Sequence, residues 1–152
     1  EKVNKNRAMN SKRALFESFH DRMNAAIEKK FYLEASWYAY ALLEDRLVSM
    51  LRQSGGIGRN GSSTQIKMLG PKLGELKNRA STDKLLSENL PATKINDWKD
   101  ERNDLMHAMA EGTMTQAEID KKAYLLALQG RDLIKEVSAA AMRLKKHRSK
   151  AP

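Results

Sequence analysis

The apolar residues of this 152-residue chain recur at steps of three and four, and this spacing limits the fold more than any other feature. In an α-helix, residues spaced in this way fall on one side. A half-buried strand would instead alternate apolar and polar residues, and no segment of the chain does so. The sequence therefore predicts an all-α fold.

The pattern divides the chain into long helices separated by short connections. We expect the long helices at about residues 11–30, 32–53, 93–111 and 115–145. Gly70-Pro71 and Gly74 interrupt residues 64–90, which are expected to form two or three short helices. The prediction is a single helical domain over residues 1–152, a bundle of four to five main helices with short intervening helices. The second helix is apolar around much of its circumference and is expected at the centre.

The formal charge of +9 lies at the two ends of the chain. Residues 1–13 and 143–150 together account for all of it, so a uniformly basic domain is excluded. Basic ends of this kind bind phosphates without regard to sequence, and Lys145, Lys146 and Arg148 are therefore candidate nucleic-acid-binding residues. A solubilising, frayed helix end explains the same residues equally well. Both ends, 1–13 and 143–152, are expected to be flexible.

Composition excludes several classes of protein. The absence of Cys rules out a disulfide framework, a Cys-ligated metal centre and a thiol nucleophile. The longest apolar run, residues 37–43, is far shorter than the ~20 residues that cross a bilayer. The first residues also lack an apolar signal core. We therefore expect a cytoplasmic protein without a membrane partner.

Two apparent ligand motifs have simpler explanations. Residues 56–61 spell the dinucleotide-binding pattern GxGxxG, which requires a preceding strand, whereas a long helix precedes it here. We interpret the segment as a flexible interhelical loop, from which Arg59 is a candidate contact for an anionic ligand. No two His lie at metal-ligand spacing, and the acidic run Asp97, Asp100, Glu101 and Asp104 is typical of a solvated helix face. No metal or other cofactor is predicted.

The second helix carries an aromatic cluster of Trp37, Tyr38 and Tyr40. Nucleic-acid bases stack on such residues in some proteins. A cluster interleaved with Ala and Leu on the most apolar helix is, however, typical of a protein core. We therefore predict that these side chains are buried.

The segment from Arg102 to His107 has the clearest chemical potential. A histidine titrates near neutral pH and can act as general base or acid, and an arginine offers a planar fork that fits the oxygens of a phosphate. Together they suffice to cleave an RNA phosphodiester without metal, with the ribose 2′-OH as nucleophile and the arginine stabilising charge on the phosphate. Arg102 and His107 are therefore candidate catalytic residues.

This segment, Arg-Asn-Asp-Leu-Met-His, resembles the R-x4–6-H motif of the higher eukaryotes and prokaryotes nucleotide-binding (HEPN) domain family. Members are small all-α bundles that commonly form homodimers, and the active ones are metal-independent endoribonucleases. A polar residue after the arginine is typical, and Asn103 stands there, which implies a role for Asn103 in the site. The resemblance is specific for the six residues of the motif and, for the rest of the chain, consists only of the all-α class.

Helix geometry predicts how such a site is assembled. Five residues at 100° each place Arg102 and His107 about 140° apart on an ideal helix, so one copy does not direct both at the same phosphate. A two-fold axis beside this helix would bring two Arg-His pairs together in a composite site. The family resemblance implies the same homodimer.

The resulting hypothesis is a HEPN-type endoribonuclease that acts on RNA and leaves a 2′,3′-cyclic phosphate, as a toxin or antiphage effector. The alternative is a non-catalytic helical scaffold that binds RNA or protein, in which His107 is buried and Arg102 pairs with Asp97 or Glu101. In HEPN toxins paired with a nucleotidyltransferase antitoxin, a Tyr follows two residues after the His, and Met109 stands there instead. Regulation through that tyrosine is not expected, and another antitoxin or regulatory protein stays open.

Overall fold

A computed structural model describes residues 2–150, except the side chains of residues 2–6 and 8–10. Its helices are α1 (Lys2–Glu28), α2 (Tyr32–Gln53), α3 (Leu69–Ala80), α4 (Lys84–Asn89), α5 (Ala92–Glu111) and α6 (Gln116–Ser149), with one 3₁₀ turn at Arg59–Gly61. Residues 2–150 contain no strand, so the predicted all-α class is confirmed. The four long helices and the two short ones between α2 and α5 also agree with prediction, except that α1 begins at Lys2 rather than at residue 11, within the end that was expected to be flexible. The basic side chains of Lys2 and Lys5, in the N-terminal end, lie outside the described residues.

The second helix occupies the centre of the bundle, as its composition predicts. It packs against α6 along much of its length and also contacts α1 and α3. Its fully buried side includes the small residues Ala35, Ser36 and Ala39. The hydroxyl of Ser36, the polar side chain among these three, donates to the carbonyl oxygen of Leu33 at 2.7 Å, so its hydrogen-bonding capacity is satisfied within the core. Small side chains here allow the neighbouring helix to come close.

The α2 and α6 helices come close together at Gly130. A Cβ atom on Gly130 would lie 3.0 Å from the Cβ of Ala39 and 3.0 Å from Cζ2 of Trp98. The indole of Trp98 comes from α5 and is 3% exposed, and its Nε1 donates to the carbonyl oxygen of Leu126 at 2.9 Å. Any side chain at position 130 would therefore require its neighbours to shift, because three helices meet there. This junction fixes the position of α5 against the α2–α6 pair.

The prediction that Trp37 is buried is wrong. Its side chain is 65% exposed, whereas Tyr38 and Tyr40 are half-buried. The reason is the register of α2, which turns Ala35 and Ala39 toward α6. Trp37 lies two residues from each of them, about 200° around the helix, and therefore faces outward. The prediction was based on hydrophobicity alone, which places Trp37 in the core. Close packing of the helices instead requires the small side chains of Ala35 and Ala39 at the contact.

The connection between α2 and α3 is an interhelical loop, as predicted, and one arginine of α3 holds it. The Nη1 of Arg79 donates to the carbonyl oxygen of Leu51 at 2.9 Å, and its Nη2 donates to that of Gly58 at 2.7 Å. A Cβ atom on Gly58 would lie 2.0 Å from the carbonyl oxygen of Ser62, so the tight turn there requires glycine. These contacts give a defined path to a segment predicted to be flexible.

The ends of α5 and α6 agree in large part with their sequence signals. The hydroxyl of Thr115 accepts a hydrogen bond from the N–H of Glu118 at 3.2 Å and so caps the start of α6. The α5 helix ends before Gly112, but it begins at Ala92 rather than at Thr93. None of the helices within residues 2–150 is long and apolar enough to pass through a bilayer.

The contact at Gly130 provides a test of the packing. We expect Gly130→Val to lower the free energy of unfolding by about 1–3 kcal/mol, because the added atoms overlap Ala39 and Trp98. Gly74→Ala in α3 is the control, since its Cβ meets open space and alanine favours helix by about 0.5–1 kcal/mol. Thermal unfolding followed by circular dichroism measures both. Equal stability of Gly130→Val and the parent would contradict the close approach.

Candidate active site

The α5 helix directs Arg102 inward. Ile95, Trp98 and Leu105 are buried on the same side of α5, and Arg102 continues that stripe as a half-buried side chain. Its guanidinium carbon lies 4.3 Å from the centroid of the Tyr40 ring on α2. At this distance the ring face attracts the cation, and the contact stabilises a partly desolvated arginine. Tyr40 thus fixes the position of the Arg102 head group.

The guanidinium of Arg102 has no carboxylate partner within residues 2–150. Its Nε is buried without a hydrogen-bond acceptor. The alternative prediction of an ion pair with Asp97 or Glu101 is therefore not found in the described residues. Burial lowers the pKa of Arg102, while the neighbouring Tyr40 acts in the opposite direction, and a guanidinium stays charged at physiological pH. The result is a fixed cation with unused donors.

His107 is exposed on α5, and the alternative prediction that it is buried is wrong. Asn103 lies one turn before it and is exposed as well. The interval of four residues places Asn103 and His107 on one side of α5, and Arg102 faces the neighbouring α2. A single copy of α5 thus presents a histidine and an amide to solvent and holds the arginine at its edge.

An apolar groove of about 730 Å³ adjoins this part of α5. Met106 and Met109, which lie before and after His107 in the chain, form its α5 side. The remaining lining residues come from α1 and α2, and they are Phe19, Leu33, Glu34, Trp37, Tyr38 and Ala41. Glu34 is the one charged residue in this lining. A large apolar surface of this kind beside an exposed tryptophan is typical of a contact with another molecule.

The structure reveals one component that sequence reasoning missed. Tyr40 was assigned to the core, and nothing in the sequence links it to a residue 62 positions later on another helix. Its hydroxyl accepts a hydrogen bond at 3.1 Å from the N–H of Leu69, the first residue of α3. The ring therefore touches Arg102 while its hydroxyl holds the start of α3. Only the packing of three helices makes this role visible.

The other predicted binding residues lie on different elements. Arg59 is exposed in the 3₁₀ turn, and Lys145 and Lys146 are exposed near the end of α6. Arg148 is half-buried, and its Nη2 pairs with Oδ2 of Asp83 at 2.6 Å. No described contact joins these residues to Arg102 or His107. The exposed lysines stay available for phosphates, whereas Arg148 is engaged within the chain.

The end of α6 differs from the frayed, flexible segment predicted from sequence. The helix continues to Ser149, and Leu144 within it is fully buried. Arg143 donates from Nε to Oδ1 of Asn89 at 2.8 Å, while Arg148 pairs with Asp83. Residues 143–149 therefore pack against α4, and their formal charge is partly used in internal contacts.

The acidic residues of α5 form no metal site in the described part of the chain, where no three metal-binding side chains converge. Asp97 and Glu101 line a cleft of about 410 Å³ together with Asp132 and Glu136 of α6. Asp100 instead accepts from Lys99 Nζ at 3.0 Å and from Asn96 Nδ2 at 3.1 Å. The predicted solvated acidic face agrees with this arrangement.

Comparison of the chain with known protein families, with curated proteins and with solved structures gave no match. The resemblance to HEPN domains therefore rests on the residues of the motif and on the all-α class.

The pair formed by Asp83 and Arg148 predicts a pH-dependent stability. Burial acts to raise the pKa of Asp83, but the hydrogen bonds from Arg148 and from the N–H of Leu86 outweigh it and hold the pKa below its ordinary value of 3.8. A carboxylate with a lowered pKa stabilises the fold above the unfolded-state pKa, and this contribution is lost as the pH falls through the folded-state pKa.

We therefore expect Asp83→Asn, which retains a good N-cap for α4, to cost about 0.5–1 kcal/mol at pH 7. Thermal unfolding of the variant and the parent should converge when the pH is lowered to 3 or below. Asp83→Ala should cost about 1 kcal/mol more, because the cap is also lost. A difference between Asp83→Asn and the parent that stays constant from pH 7 to pH 3 would contradict the ion pair.

Proposed function

We propose that this protein is a metal-independent endoribonuclease of the HEPN type. Arg102 and His107 are its catalytic residues, and Asn103 orients the reacting groups beside His107. The substrate is RNA, and the products are a 2′,3′-cyclic phosphate and a 5′-hydroxyl. A role as a toxin or antiphage effector under the control of an antitoxin or regulatory protein, within the cytoplasm, belongs to the same proposal.

The observation that supports it most is the unpaired Arg102 guanidinium. Structural arginines at half-buried positions generally pair with carboxylates, because an uncompensated charge costs free energy there. Arg102 instead lies against the ring of Tyr40 without a carboxylate partner among the described residues, five residues from an exposed histidine. Such a cation is suited to an anion supplied from outside, and a phosphodiester fits its planar fork.

The reaction requires two proton transfers. One His107 removes the proton from the ribose 2′-OH as its oxygen attacks phosphorus, and a second His107 donates a proton to the departing 5′-oxygen. The O2′–P bond forms and the P–O5′ bond breaks, which closes the cyclic phosphate. Arg102 stabilises the negative charge that builds on the nonbridging oxygens. Because one chain has a single His107, the scheme calls for two copies.

The apolar groove beside α5 provides the surface for a second copy. Trp37 projects from the same face that contains the groove, so this face carries both a protrusion and a recess, as a two-fold contact requires. Its one charged lining residue is the acidic Glu34, which disfavours RNA but tolerates an apolar partner. Pairing through this face would place the two α5 helices next to each other. Lys145, Lys146 and Arg59 would then hold RNA outside the contact.

Catalysis is tested by replacing the two residues separately. We expect His107→Ala and Arg102→Ala to lower the rate of RNA cleavage in EDTA by about 10²–10⁴-fold, because each removes proton transfer or charge stabilisation. His147→Ala, which alters an exposed histidine of α6, is the matched control and should retain the parental rate. End-group analysis of the product should detect a 2′,3′-cyclic phosphate.

Parental cleavage by folded His107→Ala protein would overturn the assignment. If highly purified parent binds RNA in a salt-sensitive manner without cleaving it, the chain is instead a non-catalytic binding scaffold. The exposed Lys145 and Lys146 support this second candidate, and Lys145→Gln with Lys146→Gln should then weaken binding and its salt dependence.

The dimer surface is tested by placing charge in the groove. Trp37→Lys and Met109→Lys should convert a dimer into a folded monomer, since an ammonium buried at an apolar contact is strongly unfavourable. Met142→Lys, at a Met that is 70% exposed on α6, is the control and should remain dimeric. Analytical ultracentrifugation measures the outcome. A monomeric parent, or dimeric groove variants, would contradict this surface.

A further inference from the structure

The position of Arg102 depends on an aromatic support that is itself fixed from a third helix. Tyr40 presents its ring to the guanidinium at 4.3 Å, and its hydroxyl accepts from the N–H of Leu69 at 3.1 Å. Met68 occupies the N-cap position of α3 with a positive φ of 73°, and its side chain makes no capping hydrogen bond. The Tyr40 hydroxyl therefore takes one backbone donor that the first turn of α3 leaves open. Both ends of the tyrosine side chain are engaged.

An acidic residue on the same side of α2 as Tyr40 is paired with a cation other than Arg102. Glu44 lies one turn after Tyr40, and its Oε2 is bound by Nζ of Lys72 at 3.1 Å. Lys72 is only 2% exposed, which makes this carboxylate the one described partner of a buried ammonium. A buried ammonium needs a counter-charge, so Glu44 is committed to Lys72. The arrangement leaves Arg102 without an internal anion.

These contacts orient the guanidinium of Arg102 and at the same time leave its charge available for a ligand. A carboxylate would orient Arg102 but would also neutralise it and compete with a phosphate. An aromatic ring orients the guanidinium through its face and leaves the N–H donors of the fork free. The described structure contains the ring and lacks the carboxylate at Arg102.

We infer that Tyr40 is a positioning residue that holds the Arg102 guanidinium, uncompensated, for the phosphate of the substrate. This inference rests on the proposed function for its catalytic consequence. The stack between Tyr40 and Arg102 can be measured independently of any activity. The hydroxyl of Tyr40 contributes to the start of α3, whereas its ring acts on Arg102.

Two variants separate the ring from the hydroxyl. Tyr40→Phe keeps the stack and loses the hydrogen bond to Leu69, so kcat should stay within about twofold of the parent while the melting temperature falls by about 2–4 °C. Tyr40→Leu removes the ring, and kcat should fall by about tenfold or more with a smaller change in KM, because a misplaced group affects the transition state most. Cleavage of a short single-stranded RNA in EDTA supplies both constants, and circular dichroism verifies folding.

A double-mutant cycle adds a readout that a merely structural role would not change. Arg102→Lys should lower kcat in the parent and have little further effect in the Tyr40→Leu background, since the planar stack is already lost. Tyr124→Leu, the same substitution at a 42% exposed tyrosine of α6, is the control and should show an additive effect with Arg102→Lys. Full additivity between Tyr40→Leu and Arg102→Lys would overturn the inference.

Nuclear magnetic resonance decides the stack without any cleavage. The Nε–H signal of Arg102, identified by its loss in Arg102→Lys, should be shifted upfield by the Tyr40 ring and exchange slowly because Nε is buried. The shift should persist in Tyr40→Phe and vanish in Tyr40→Leu. An unshifted signal in the parent overturns the inference even if Tyr40→Leu fails to fold. A shifted signal in a protein that cleaves no RNA would uphold the stack and refute the proposed function alone.

Discussion

The close approach of α2 and α6 at Ala39 and Gly130 determines much of this structure. Because neither residue has a side chain that extends beyond Cβ, α2 and α6 meet here without large side chains between them. The indole of Trp98 packs against this contact from α5. Dense packing of this kind has little tolerance for added volume. It sets the rotation of α2, and that rotation turns Trp37 outward and brings Tyr40 beneath Arg102. The outward position of Trp37 and the inward position of Tyr40 are therefore consistent with the close packing of α2 against α6.

Charge is distributed according to a different rule. Two of the buried or half-buried cations, Lys72 and Arg148, pair with the carboxylates of Glu44 and Asp83, as desolvation favours. Arg102 differs from them because its described contact is with an aromatic ring, whereas a buried Nε without an acceptor is a feature that it shares with Arg131 and Arg148. A local departure of this kind reduces stability and is typical of positions that serve function. The formal charge of +9 is a weaker guide, because Arg148 at the basic C-terminal end is already paired.

Much of the fold was predictable from sequence because helix formation follows local spacing. The bounds of α2, the Thr115 cap and the buried stripe of α6 all derive from residues within one or two turns of each other. The errors arose where distant segments meet. The exposure of Trp37 depends on Gly130, and the contact between Tyr40 and Arg102 depends on where α5 lies, neither of which periodicity encodes. Arg102 and His107 could be selected as candidates from their chemistry and Asn103 from the family resemblance, but the support beneath Arg102 could not be predicted.

The hydrogen bonds of Arg79 have a consequence for how the molecule opens. The guanidinium of Arg79 donates to Leu51 at the end of α2 and to Gly58 in the loop. The loop therefore cannot move away from α2 without breaking at least one of these two hydrogen bonds. Segments held in this way tend to open as cooperative units. The loop continues directly into Met68 and Leu69, whose N–H holds Tyr40. The loop is therefore fixed near its start by Arg79 and at its end by the hydroxyl of Tyr40, the same side chain whose ring lies against Arg102.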